Sequence, residues 1–202
     1  IAVLVSMASG VLLGAPTLRL RGDYLAIVTL GFGEIIRLLA QRFDWLGAQP
    51  GIPNIPPPWK GGPIKFGPLH STSYYWLGLT IAIIVYFFLK RLENSRVGRA
   101  WTAIREDEDA AELMGVPTFT FKLWAFAIGA AIGGIAGVMY AGKVGFINPD
   151  NFQLQLSILF LAAVVLGGTG NMYGAITGAV LVAWLPERFR NFSTRRYFVF
   201  GV

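Results

Sequence analysis

Long apolar tracts are the feature of this chain that most restricts its fold. Charged residues make up only 14% of its 202 residues and are clustered, whereas soluble domains carry about 25%. The clustering leaves five mainly apolar tracts, at residues 1–16, 24–40, 74–89, 119–141 and 154–185. A membrane span needs roughly 17–25 apolar residues, so each tract is a candidate span and the last is long enough for two shorter helices. The alternative is a very hydrophobic soluble core.

We therefore predict an all-α membrane protein, a polytopic transmembrane helix bundle with broken or re-entrant helices. The bundle is expected to form a single domain over residues 1–202. The chain opens inside an apolar tract without a start Met and closes on the apolar residues 197–202. We therefore expect a fragment that lacks a helix at each end.

A polar, helix-forming segment at residues 98–116 lies between two of the apolar tracts. Ser95 is the expected N-cap, and Gly115 with Pro117 forms a stop signal. Five apolar residues recur at spacings of three or four and predict one apolar face: Val97, Trp101, Ile104, Ala111 and Met114. The segment is either a docking helix for a soluble partner or a solvated loop helix.

Basic residues indicate the orientation, because Lys and Arg accumulate on the cytoplasmic side of a membrane. The connection at residues 90–122 carries six of them: Lys90, Arg91, Arg96, Arg99, Arg105 and Lys122. We expect this connection to be cytoplasmic, the Pro- and Gly-rich loop at residues 44–73 to be external, and Arg19 and Arg21 to mark an inner helix end. The basic segment 186–196 lies outside if both preceding helices cross fully, and inside if they form a re-entrant pair.

The sequence offers little for catalysis. It has no Cys and a single His70, which we interpret as a solvated loop residue, so neither a thiolate site nor a metal site is expected. The run from Gly137 to Lys143 resembles a P-loop, but Val144 stands where Ser or Thr must hold Mg²⁺. We expect no ATP binding, no catalytic residues and no cofactor, and the net charge of +6 is interpreted as loop Lys and Arg and not as a nucleic-acid surface.

Several residues at predicted membrane depth are unusual for a lipid-facing helix. The tract at 24–40 contains Thr29, Gly31, Gly33 and Glu34. A charged side chain in the bilayer is costly, and Arg37 one turn on can pair with Glu34. This face either lines a translocation path or holds a structural ion pair.

Glycine also marks two other places in the apolar tracts. The Gly-rich residues 167–171 interrupt the last one, and broken helices often mark transport sites. A small-residue stripe along 129–137 predicts close helix packing.

Several stretches resemble a known transporter family. Glu108-Asp109-Ala110-Ala111-Glu112-Leu113-Met114-Gly115 resembles the EAA-type loop of ABC importer permeases, in which a helix docks into a cleft on the ATPase subunit. Residues 17–37, with Arg21-Gly22-Asp23-Tyr24 and Thr29-Leu30-Gly31-Phe32-Gly33-Glu34, are similar to LivM-type permeases for branched-chain amino acids. Gly98-Arg99-Ala100 and Val165-Leu166-Gly167-Gly168 fit the same family. The resemblance covers nearly the whole chain.

The resemblance implies a permease subunit of an ATP-driven ABC importer for leucine, isoleucine and valine, multi-pass in a bacterial inner membrane. It implies as partners a sister permease, two cytoplasmic ATPase subunits, an external (periplasmic) amino-acid-binding protein and membrane lipid, without nucleic acid. The expected ATPase-coupling residues, within a coupling helix at 98–116, are Arg105, Glu108, Ala110, Ala111, Glu112 and Gly115. The expected pathway residues are Thr29, Gly31, Gly33, Glu34, Gly167 and Gly168.

Three alternatives remain at this point. The chain can belong to a related importer of urea or short amides, since the binding protein does most of the selecting. A membrane-embedded enzyme would need a cluster of reactive side chains, and a passive channel would not need a docking helix. Co-purification of an ATPase discriminates among these readings.

Overall fold

The computed structural model of this protein describes residues 1–18, 23–56, 71–168 and 170–184. The helices are α1 Ala2–Thr17, α2 Asp23–Arg42, α3 Ser71–Glu93, α4 Arg96–Glu106, α5 Glu108–Leu113, α6 Thr118–Val144, α7 Leu154–Gly167 and α8 Met172–Trp184. Short 3₁₀ turns cover Asp44–Leu46 and Pro149–Phe152. Within these described ranges there is no strand, only an isolated antiparallel bridge between Ile52 and Ile147.

Three of the described helical segments are long and apolar enough to cross a membrane: Ser71–Glu93, Thr118–Val144 and Pro149–Gly167. The helices α1 and α8 are apolar but shorter. This confirms an all-α membrane protein. The last apolar tract forms two helices, α7 and α8, as its length predicted. Whether α2 crosses the membrane, and whether α7 and α8 form a re-entrant pair, stay predictions.

The chain forms a first compact unit, Ile1–Pro149, and a second that begins at Asp150. In the first unit α6 is the central helix, because α1, α3, α4 and α5 all contact it. The expectation of a single domain stays a prediction. Arg19, Arg21, His70 and the segment 186–202 lie outside the described residues.

The closest helix pair in the first unit is α1 with α6. Small residues occupy every fourth position on α1, at Ser6, Gly10 and Gly14, opposite Phe126, Ala130 and Gly134 of α6. A methyl group added at Gly10 would collide with the Ala130 Cβ, and one at Gly134 would lie 2.7 Å from the Ser6 Cβ. The Ser6 hydroxyl donates to the Ala130 carbonyl oxygen. Small residues let two backbones approach in this way, so this part of the predicted stripe serves packing.

Three other glycines of the small-residue stripe on α6 lie in open space. A Cβ added at Gly129, Gly133 or Gly137 would meet no described atom within 4 Å. These three positions have room for a side chain, and the described contacts support the predicted packing role at Ala130 and Gly134.

A second set of contacts holds the C-terminal end of α6. The buried Tyr74 at the start of α3 donates its hydroxyl to the Gly142 carbonyl oxygen at 2.6 Å. The backbone N–H of Ile52 donates to the Ile147 carbonyl oxygen at 2.8 Å, and that of Ile55 donates to the Gly145 carbonyl oxygen at 3.0 Å. The described part of the Pro-rich loop is therefore tied to the chain that follows α6, and the loop ends by residue 70 because α3 begins at Ser71.

We predict that Gly10→Ala destabilises the first unit, because its methyl group overpacks the α1–α6 contact at a cost of about 1–3 kcal/mol. Gly133→Ala is the matched control. It adds the same methyl group in open space and should be neutral or stabilising by up to about 1 kcal/mol through helix propensity. Thermal unfolding of the purified protein in detergent measures both. Equal melting temperatures for the two variants would contradict the packing described here.

Candidate coupling and translocation sites

The predicted coupling helix at residues 98–116 is two helices. Asp107 has an extended backbone, with φ −155° and ψ 111°, and it ends α4 and begins α5. Its carboxylate accepts a hydrogen bond from the Ala110 N–H at 2.9 Å. An aspartate side chain that caps the backbone N–H groups ahead of it competes with helix continuation. The prediction of one continuous helix was therefore wrong at this residue.

The two ends of this helix pair agree with the sequence. The Ser95 hydroxyl oxygen accepts from the N–H groups of Val97 and Gly98, as an N-cap does. At the other end, Gly115 has φ +84°, in the left-handed region that glycine adopts most readily. The N–H of Gly115 donates to the Glu112 carbonyl oxygen at 2.9 Å. The predicted start and stop signals are confirmed.

One face of the α4–α5 pair lies against the first turn of α6. The Trp101 indole N–H donates to the Phe121 carbonyl oxygen at 2.7 Å. Glu108 and Lys122 form an ion pair whose side chains are 28% and 23% exposed. Ala111 is only 5% exposed. The apolar face is therefore partly covered within the chain itself, with Trp101 and Ile104 half-buried.

The opposite side of α5 ends in two exposed apolar side chains. Leu113 is 89% exposed and Met114 is 86% exposed. Met114 was expected on the packed face, and that prediction was wrong. The break at Asp107 shifts the helical phase, and α5 ends at Leu113, so the spacing counted from Val97 no longer applies. The sequence signal for these exposed side chains was the Leu113-Met114 pair directly before the Gly115 stop.

The predicted coupling residues divide by their surroundings. Glu108 is paired with Lys122 of α6, and Ala111 is buried. Exposed positions form the other group: Arg105, Ala110, Glu112 and Gly115. This second group shares its exposure with Leu113 and Met114.

The ion pair predicted in α2 is present. The Arg37 Nε lies 3.0 Å from Glu34 Oε2 and 3.1 Å from Oε1, a two-oxygen contact within one helix turn. The Glu34 side chain is 31% exposed and that of Arg37 is 18% exposed. The pair fixes both side chains along α2.

A cavity of about 530 Å³ lies between α1, α2 and α6. Two predicted pathway residues, Thr29 and Gly33, line it together with Gly10 and Gly129. Gly31 is exposed, and neither it nor Glu34 is in the lining. The lining is otherwise apolar apart from Thr17, and its other residues are Leu13, Phe32, Ile36, Ala125, Phe126 and Ala130.

In the second unit, Gly167 and Gly168 have different structural roles. A Cβ on Gly167 would collide with the Gly174 carbonyl oxygen, and one on Gly178 would collide with the Ala163 carbonyl oxygen. These glycines let α7 and α8 pack as a tight helical pair. Gly168 has φ +92° and open space around it, so it forms the turn between the two helices.

The structure also places the P-loop-like run. Gly137 to Lys143 lies inside α6, so its backbone N–H groups are engaged in the helix and cannot cradle a phosphate. Among the described residues no three His, Cys, Asp or Glu side chains gather in a metal-binding group.

Comparison with known proteins gives one family. The family model described as "Branched-chain amino acid transport system / permease component" matches residues 1–202. No solved structure matches the chain significantly.

Curated relatives carry related names. The chain is 40% identical to the high-affinity branched-chain amino acid transport system permease protein LivM of Salmonella typhimurium, over 100% of this chain and 52% of that protein. It is 30% identical to the probable LivM of Methanocaldococcus jannaschii, over 89% of this chain and 53% of that protein. It is also 32% identical to the autoinducer 2 import system permease protein LsrC of Escherichia coli O9:H4, over 77% of this chain and 43% of that protein.

The chain thus spans about half the length of the LivM proteins that it matches. The family match extends over all 202 residues. The α-helical membrane fold and the polar helix pair between two candidate spans agree with a transporter component. The chain therefore belongs to the family of permease components of branched-chain amino acid transport systems.

Proposed function

We propose that this chain is part of the translocation subunit of an ATP-driven importer of leucine, isoleucine and valine. The observation that carries the proposal is the α4–α5 pair between the candidate spans α3 and α6, packed on one side and exposing Leu113 and Met114 on the other. Exposed apolar side chains beside acidic ones favour a soluble protein partner over an anionic membrane surface. A passive channel would not require such an element.

The proposed substrate class rests on the relatives. The LivM proteins that align with the whole chain are named for branched-chain amino acid transport. LsrC, named for autoinducer 2 import, aligns with 77% of it. A permease of this family is therefore compatible with more than one substrate, and urea or a short amide stays the alternative.

The proposed assembly contains a sister permease, two cytoplasmic ATPase subunits and an external amino-acid-binding protein, in a bacterial inner membrane that the chain crosses several times. The helix bundle would have two arrangements, and the ATP-bound ATPase subunits would favour the one that they bind more tightly. The α4–α5 pair is the proposed joint, and the cavity lined by Thr29 and Gly33 is the proposed part of the path in the first unit.

A labelling prediction uses the absence of Cys from the chain. A single Cys at the exposed Ala110 should react with an impermeant maleimide in inverted vesicles but not in intact cells. The ATPase partner should block the reaction. Inside labelling that the partner leaves unchanged would remove the coupling role, and labelling from outside would overturn the orientation.

Another prediction concerns the packed face of α5. Ala111→Asp places an unpaired charge at a buried position of α5, at a cost of roughly 3–5 kcal/mol if the charge stays buried. We expect α5 to detach, so that ATP hydrolysis continues while substrate uptake in reconstituted vesicles falls about tenfold or more. Ala111→Ser is the control, since its hydroxyl can bond to a carbonyl of the same helix. Fully coupled uptake by Ala111→Asp would contradict this role.

A further prediction concerns the exposed tip. Leu113→Ser with Met114→Ser should lower the affinity for the ATPase subunit about tenfold or more, as loss of central apolar anchors does. Stability should not change, because both side chains are already exposed. Thr102→Ala, at an exposed position of α4, is the control. The measurement is the affinity of purified ATPase for the unaltered permease, the double variant and the control, each in nanodiscs. Unchanged affinity of the double variant would place the contact elsewhere.

A further inference from the structure

Two side-chain contacts hold the α4–α5 pair to α6 at consecutive residues. Trp101 of α4 donates to the backbone oxygen of Phe121, and Glu108 of α5 pairs with Lys122. One contact comes from each of the two short helices, on either side of the break at Asp107. The pair is thus fixed at two points on α6.

The ion pair differs from an ordinary surface pair. Both of its side chains are less than one-third exposed, so solvent screens it less than a fully exposed pair. The Lys90–Glu93 pair is a useful comparison, since its side chains are 41% and 51% exposed and both lie in α3. Of these two pairs, Glu108–Lys122 is the one that joins two helices, and its loss would remove a side-chain contact that holds α5 on α6.

The helix that receives both contacts also reaches the candidate path. α6 packs along α1 through Ala130 and Gly134, and its residues Ala125, Phe126, Gly129 and Ala130 line the cavity with Thr29 and Gly33. A continuous series of packed elements therefore runs from the tip of α5 through Lys122 to the cavity. Such a series counts as coupling only when a coupling energy is measured.

We infer that the Glu108–Lys122 and Trp101–Phe121 contacts form a clamp, through which movement of the α4–α5 pair reaches α6. Lys122 and Trp101 are its positioning residues. This inference rests on the proposed function and extends it. Glu108 then acts by holding α5 on α6, and the contact with the ATPase is left to the exposed residues of α5.

The test is a charge reversal with two readouts. The variants are Lys122→Glu, Glu108→Lys and their combination, with Trp101→Phe to remove the indole donor. Lys90→Glu combined with Glu93→Lys is the control, because it reverses a pair inside one helix. Spin labels on Cys introduced at Ala110 and Ala136, both exposed, report the distance between α5 and α6. Thr118, where α6 begins, and Ala136 are about 27 Å apart along the helix axis. A separation of this order suits a pulsed dipolar measurement on the full permease in nanodiscs.

The second readout is uptake of branched-chain amino acid per ATP hydrolysed by the assembled transporter in vesicles. We expect each single reversal to broaden the distance distribution and to lower this ratio about threefold or more. The combined reversal should restore both, while Trp101→Phe should broaden the distribution and the α3 control should change neither readout.

Two outcomes would overturn the clamp: an unchanged distance distribution in Lys122→Glu, or a broadened distribution with an unchanged uptake ratio. Failure of the proposed function looks different. Vesicles with the unaltered permease would then show no ATP-driven uptake, while the distance distributions would still support or reject the clamp itself.

Discussion

The close contact of α1 with α6 is the constraint on which the first unit depends. Lipid tails are as apolar as leucine, so burial of apolar surface does not drive membrane helices together, and close packing and hydrogen bonds must do so. Ser6, Gly10 and Gly14 remove the side-chain bulk that would separate the two backbones. The Ser6 hydroxyl adds a bond to a carbonyl oxygen of α6. With α6 held in this way, its first turn can seat the α4–α5 pair, and its middle can form one wall of the cavity.

Features set by neighbouring residues could be predicted from the sequence. The Ser95 cap, the Gly115 stop, the Glu34–Arg37 pair and the break after Gly167 all depend on residues within a few positions of each other. The apolar tracts predicted the helices for the same reason, since length and composition decide whether a segment suits a bilayer.

Features that depend on distant contacts could not be predicted in this way. Nothing local distinguishes Lys122 from other basic residues of its connection, and its role follows from the position of Glu108 beside it. The break at Asp107 was a choice between capping and helix continuation that propensity alone does not decide. Once the break was missed, the phase of every residue after it was wrong, which misplaced Met114 and concealed Leu113.

The contacts at the C-terminal end of α6 have a consequence for the direction of signalling. Tyr74 attaches the start of α3 to that end, and the Ile52–Ile147 bridge attaches the described part of the Pro-rich loop to it. Gly142, which accepts from Tyr74, lies about 30 Å from Lys122 along the axis of α6. A rigid helix that is held at both ends can transmit a movement from either end to the other. Linkage between two binding equilibria is reciprocal. If the α5 tip binds a partner as proposed, a ligand that shifts the loop alters the affinity for that partner by the same factor as the bound partner alters the affinity for the ligand.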